Sequence, residues 1–107
     1  MKDKYFIGID GGATKTVGVL FAQNGKTLCS YSELGSNLSV DEEKSAGRIL
    51  NLINKLIENS RIKVEDIGSI GVGVAGASNE TGRERLFGLL DNLNLSDKTV
   101  ITNDVET

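Results

Sequence analysis

A chain of 107 residues has room for about one domain, with a core of its own. It has no His, no Trp, no Pro and one Cys, which excludes a His-based triad, a His-bearing zinc site, a Cys-ligated cluster within the chain and an internal disulfide. Twelve basic against 15 acidic residues give a net charge of −3, and there is no basic block to follow a nucleic acid.

Tyr5-Phe6-Ile7-Gly8-Ile9 reads as a first strand, apolar on both faces and therefore central in a sheet. Asp10 to Lys15 is a turn, and Thr16 to Ala22 a second strand. Asn24-Gly25 is a two-residue hairpin signal, with Lys26 to Glu33 as the partner strand. Gly35-Ser36-Asn37-Leu38 is a loop by composition. Ser39-Val40-Asp41-Glu42 has the form of a capping box. Behind it, Ala46, Ile49, Leu50, Ile53, Leu56 and Ile57 form a helical stripe ending near Asn59. After a polar connection from Arg61 to Asp66, Ile67 to Val74 is a glycine-spaced strand leading into Ala75-Gly76-Ala77. Thr81 to Asn92 is a second helix, with Leu86, Leu89, Leu90 and Leu93 inward. Thr99 to Thr102 is a last strand, with Asn103-Asp104 at its carboxyl end. The order βββαβαβ is an α/β unit: a mixed sheet, a hairpin extended by right-handed crossovers, with helices packed on it.

With His absent, chemistry falls to carboxylates, hydroxyls, lysines, amides and backbone N–H groups. Thirteen glycines, well above the usual share of about 7%, favour a phosphate or nucleotide site over a metal one. The segment Asp10-Gly11-Gly12-Ala13-Thr14-Lys15-Thr16 can bend sharply and turn N–H groups, the Thr14 hydroxyl and the Lys15 ammonium toward phosphate oxygens. Asp10 can hold a metal-bound water. Its spacing is neither that of a Walker loop nor that of the dinucleotide fingerprint, and a plain glycine-rich hairpin explains it as well. Asp104, at a strand's carboxyl end where α/β sheets bind ligands, can accept a proton from an attacking hydroxyl; taken alone, a capping Asp is the simpler reading. Asn37 can donate to and accept from sugar hydroxyls, or be a turn residue. Gly76 either lines a ligand or allows tight helix–sheet packing. Cys29 is expected to pack in a strand, and Arg83 and Arg85 to lie on a solvated helix face.

Together, Ile7 to Thr16, Gly35-Ser36-Asn37, Gly71 to Gly76 and Ile101-Thr102-Asn103-Asp104 occur in order along the whole chain. In this the chain resembles the BadF/BadG/BcrA/BcrD ATPase family, which includes N-acetylglucosamine kinase. The resemblance implies a ribonuclease-H-like lobe of the actin and hexokinase type, and covers only the N-terminal lobe of a member. Members are about three times longer, with two such lobes closing on ATP. It implies that Asp10 sits near Mg²⁺ through water and that Gly11, Gly12, Thr14 and Lys15 form the first phosphate loop. Asn37 and Gly76 then contact the sugar, and Asp104 is the catalytic base. Ala13 departs from the family's third loop glycine, and the second phosphate loop and adenosine segment are missing.

The expectation is therefore residues 1–107 as the N-terminal lobe of an ATP-dependent amino-sugar kinase, using ATP and Mg²⁺ on N-acetylglucosamine or glucosamine. The last strand, with no closing element after Thr107, predicts further chain downstream, and the 107 residues alone are expected not to turn over. The expected partners are a small sugar and a second copy of the chain as a homodimer, with neither nucleic acid nor membrane. No apolar run nears the roughly 18 residues of a membrane helix, Asp3 and Asp10 break any secretory signal, and a lone Cys29 fits a reducing cytoplasm. Three rivals stand beside this: an ATPase activator of a radical dehydratase or reductase, a lobe that binds sugar or nucleotide without catalysis, and a glucokinase-type sugar kinase. The activator needs cluster-binding cysteines, and Cys29 has no such spacing.

Overall fold

In the computed structural model, which describes residues 4–12 and 14–103, the apolar runs become five strands and two helices. Strand β1 is Tyr5–Gly11, β2 Lys15–Ala22 and β3 Thr27–Leu34. Helix α1 is Glu42–Ser60, β4 Ile67–Val74, α2 Glu80–Asp91 and β5 Thr99–Asn103. Single 3-10 turns at Val64–Asp66 and Ser96–Lys98 lead into β4 and β5. The sheet order is β3-β2-β1-β4-β5, so the strand read as apolar on both faces is the middle one. β1 pairs antiparallel with β2, and β2 with β3; β4 runs parallel to both β1 and β5. This is the expected ribonuclease-H-like mixed sheet.

Register decides which side chains are buried, because successive residues in a strand face opposite sides. Ile7 and Ile9 of β1 align with Ile70 and Val72 of β4, and all four are buried, as is Leu20 of β2. Against them lies the stripe of α1, including Ile49, Leu52, Ile53 and Leu56, joined by Leu86 and Leu90 of α2 in one core. Leu89 and Leu93 are only partly buried at its margin. The other face of the sheet, with Phe6, Val17, Val19 and Phe21 half-buried and Val100 63% exposed, carries no helix among the described residues. No helix of the described residues is long and apolar enough to cross a membrane.

Two local expectations change. The β2–β3 turn is not a two-residue one: Ala22 N–H donates to the Lys26 carbonyl at 2.8 Å, enclosing Gln23-Asn24-Gly25. Gly25 takes φ +90°, and Asn24 Oδ1 accepts from Lys26 N–H at 2.9 Å. This is a type I turn followed by a left-handed residue, which adds one residue to the loop. A separate irregularity further along, where Leu20 faces Cys29 but Phe21 faces Thr27, leaves Leu28 as an extra residue in β3. The capping box does not form either. Asp41 is the N-cap of α1 and makes no side-chain cap bond, because Ser39 turns back to Asn37 instead.

Helix α2 does have a side-chain cap, with Asn79 Oδ1 accepting from Gly82 N–H at 2.9 Å. Asn79→Ala is expected to cost about 1 kcal/mol, seen as a lower urea midpoint at unchanged slope. An unchanged midpoint would show that the cap contributes nothing to α2.

Candidate functional site

The strand directions collect the candidate residues at one edge of the sheet. β1, β4 and β5 are parallel, and their last residues lie in a row, Gly11 beside Val74 and Val74 beside Asn103. β2 begins at that edge, with Thr16 opposite Gly11, and β3 ends there, with Leu34 opposite Lys15. Every loop leaving this row, the β1–β2 turn, the segment from Gly35 to Asp41, and Ala75 to Asn79, therefore emerges on one side. This is the carboxyl edge of the parallel strands, where open α/β sheets bind ligands.

Backbone and hydroxyl bonds tie the loops to one another. Gly12 N–H donates to the Lys15 carbonyl at 3.0 Å, closing the β1–β2 turn, and the Gly12 carbonyl accepts from Ser36 N–H at 2.9 Å. Gly12 N–H is thus already bonded, and the side chains offered by this turn are those of Thr14 and Lys15, both exposed. Below them the buried Thr16 hydroxyl donates to the Leu34 carbonyl at 2.8 Å and lies 2.6 Å from Ser36 Oγ. A hydroxyl has one hydrogen, so Ser36 is the donor in that pair. Gly11 is required by packing: a Cβ there would stand 2.7 Å from Val74 Cγ2. Asp10 is exposed at the end of β1, and Ala13 lies outside the described residues. Among the described residues, no protein hydrogen bond occupies the side chains of Asp10, Thr14 or Lys15, which leaves them available to a ligand.

The second group is brought into direct contact. The Gly11 carbonyl accepts from Ala75 N–H at 3.2 Å, and the Ala75 carbonyl from Leu38 N–H at 2.8 Å, so the loop after β3 runs as a short parallel bridge beside the end of β4. Gly76 follows at φ +79°, and a Cβ on it would stand 2.4 Å from both Asn37 Oδ1 and Ser39 N. Asn37 is half-buried beside a hollow of about 250 Å³ lined by Ser36, Asp41, Ser45 and Arg48 among others. At the far end of the row, Asn103 Oδ1 accepts from Ser78 N–H at 3.2 Å, fastening β5 to the turn after Gly76. Asp104, the expected base, lies outside the described residues.

Three residues differ from or extend the sequence reading. Arg83, expected on a solvated face, donates from Nη1 to the Ala77 carbonyl at 3.2 Å and so braces the Gly76 turn. Arg85 stays on the surface and pairs with Glu43 at 3.4 Å. Ser45, which the sequence reading passed over, is buried and bonded to the Asn37 backbone. Its signal was there to see: it stands four residues before Ile49, on the buried stripe, where a small polar residue needs a partner. Cys29 packs as expected, half-buried in β3 with Sγ 3.1 Å from Ser60 Oγ at the end of α1.

Comparison with known proteins supplies the family and the fold. The chain is 28% identical over 104 residues to the N-acetylmuramic acid/N-acetylglucosamine kinase of Clostridium acetobutylicum, an overlap of 96% of this chain and 34% of that protein. It is 34% identical over 88 residues to the N-acetyl-D-glucosamine kinase of Dictyostelium discoideum, 75% of this chain and 28% of that one. It thus spans about a third or less of the curated relatives it matches. A Chromobacterium violaceum protein, solved as a candidate N-acetylglucosamine kinase, superposes with a TM-score of 0.70 at 23% identity, covering 94% of this chain and 35% of that one. At that identity the likeness speaks for the fold. A family model also matches, over residues 7–88, a span that includes the β1–β2 turn, Asn37 and Gly76. By that match the chain belongs to the BadF/BadG/BcrA/BcrD ATPase family.

Proposed function

We propose that residues 1–107 are the N-terminal lobe of an ATP-dependent amino-sugar kinase that phosphorylates a hydroxyl of N-acetylglucosamine or glucosamine. The observation that carries this reading is the single edge on which the β1–β2 turn, the Asn37 loop and the Gly76 turn are bonded to one another. A phosphate-facing turn and a sugar-facing loop held in fixed relation are what phosphoryl transfer needs, since its catalysis is mainly positioning and electrostatics. Both curated relatives named above are kinases of N-acetylated amino sugars, which favours the same substrate class here.

The residues present fit a phosphate group: an exposed ammonium and hydroxyl on a tight turn, an exposed carboxylate beside it, and no protein partner for any of the three among the described residues. ATP, with Mg²⁺, supplies the phosphoryl group and screens its charge. Lys15 and Thr14 would hold the phosphates over the tight turn that the Gly11 and Gly12 backbone allows, and Asp10 would hold the cation through water. Asn37 and the bare Gly76 backbone position the sugar. Asp104, next in sequence after Asn103, would accept the proton of the attacking hydroxyl as the sugar O–P bond forms and the bond from the γ-phosphorus to the bridging oxygen breaks, releasing ADP. Closure by a second lobe then excludes water from the transfer.

The test is ADP release from Mg-ATP by the full-length protein with N-acetylglucosamine, glucosamine, glucose or no sugar. Release only with an amino sugar is the expected result. Release with glucose alone moves the assignment to a glucokinase-type enzyme, release that ignores sugar moves it to an ATPase activator, and none at all leaves a binding lobe.

A further inference from the structure

Asn37 has its hydrogen-bonding capacity almost wholly spoken for. Its carbonyl accepts from Val40 N–H and Asp41 N–H, each at 3.2 Å, and from the Ser45 hydroxyl at 3.1 Å. Its own N–H donates to Ser45 Oγ at 2.8 Å. Ser45 is buried, so one hydroxyl both gives to and takes from the Asn37 main chain eight residues upstream and fixes it against the first turn of α1. The side chain is constrained as well. Asn37 Oδ1 accepts from Ser39 N–H and from Ser39 Oγ, both at 2.9 Å. A main-chain N–H can only donate, so the atom facing Ser39 must be the oxygen, and the amide cannot be turned about. What remains is the Nδ2 amino group, which has no protein partner among the described residues. A Cβ on residue 76 would stand 2.4 Å from the same Oδ1, so only a glycine there admits the carboxamide.

We propose that Ser45 and Ser39 are positioning residues that make Asn37 a one-way hydrogen-bond donor, so that the substrate atom it reads is an acceptor oxygen. This rests on the amino-sugar kinase reading and narrows it. An asparagine is in general indifferent to the polarity of a hydroxyl, since it can give or take; here that freedom is gone. The matching ligand chemistry is an oxygen lone pair turned toward Nδ2, from either an acylamino carbonyl or a ring hydroxyl.

Asn37→Asp separates donor from acceptor. Aspartate keeps both bonds from Ser39, and its charge is favoured beside the N-terminus of α1, so the fold and melting temperature hold. It has no N–H to give. In the full-length enzyme the KM for sugar is expected to rise about 10- to 100-fold, with the KM for ATP within about twofold. If the partner is an acylamino carbonyl, the rise is confined to N-acetylglucosamine; if a hydroxyl, glucosamine suffers equally. Ser45→Ala removes the anchor and not the reading atom. It is expected to raise the sugar KM about tenfold while leaving the ATP KM and kcat near their original values. Losing its two hydrogen bonds to Asn37 lowers the melting temperature in either case, but a merely structural serine would affect both KM values together. Unchanged sugar KM in Asn37→Asp, in an enzyme that does phosphorylate an amino sugar, overturns the one-way donor and leaves the function standing. Absence of sugar-dependent turnover in the unmodified protein overturns the function, and the donor assignment with it.

Discussion

Gly76→Ala is expected to be among the most damaging single-methyl changes in the chain. Gly76 holds φ +79°, a left-handed conformation that costs an L-residue about 1–2 kcal/mol. The added carbon would also stand 2.4 Å from Asn37 Oδ1 and from Ser39 N, and 3.0 Å from Leu38 N, and overpacking of that kind adds about 1–3 kcal/mol. Two of those three atoms are backbone, and the third is pinned by two hydrogen bonds. The loop cannot yield without giving up Leu38 N–H to Ala75 O, the bond that holds it to β4. The expected result is a loss of about 3 kcal/mol by denaturant unfolding, with sugar binding weakened more than nucleotide binding. A variant as stable as the parent, with unaltered sugar KM, would show that the Gly76 turn and the Asn37 loop move independently.

Asp104→Asn is the larger change in activity. If Asp104 takes the proton of the sugar hydroxyl, the amide removes the base and keeps the shape, and kcat of the full-length protein falls about 10²- to 10⁴-fold. Both KM values should stay within a few-fold, because an amide can still hydrogen-bond the hydroxyl it no longer deprotonates. Steady-state kinetics with N-acetylglucosamine read both quantities. Retention of kcat would remove Asp104 from the chemistry and favour a lobe that binds without catalysing.

Elements defined by long runs of side chains were legible, and those defined by one hydrogen bond were not. The run Tyr5 to Ile9, apolar at every position except Gly8, marks the central strand, and the stripe through Ala46, Ile49, Ile53 and Leu56 marks the helix that covers it. Each burial adds to the same answer, so no single misreading can overturn it. The start of α1 was decided differently. Ser39 and Glu42 have the spacing of a capping box, but the Asn37 carboxamide lies two residues before Ser39 and takes both its N–H and its hydroxyl. Two local partners competed for one serine, and the tighter Asx-type turn won. The Asn24-Gly25 turn gained a residue for a similar reason, since Gly25 settles after the turn and not inside it. At the site, the sequence marks which residues could meet a ligand; only the register shows that Gly11, Val74 and Asn103 end in one row. The polarity of Asn37 was out of reach of spacing altogether, because it depends on Ser45 and Ser39 arriving from two directions.

The central place of β1 also sets the order in which this lobe can assemble. Its β2 side closes across a short turn, whereas its β4 side must wait for a segment about sixty residues further along the chain. Local hairpins form in microseconds, while distant pairings lose loop entropy before they gain contacts and come later. The bonds from Ala75 to Gly11 and from Leu38 to Ala75 belong to that later stage. A nascent chain that has made only β1 to β3 therefore already holds its β1–β2 turn, but fixes the Asn37 loop only when β4 docks. If the proposed function holds, nucleotide affinity should precede sugar affinity during folding, and a sugar ligand at the seam closed last should slow unfolding more than ATP does.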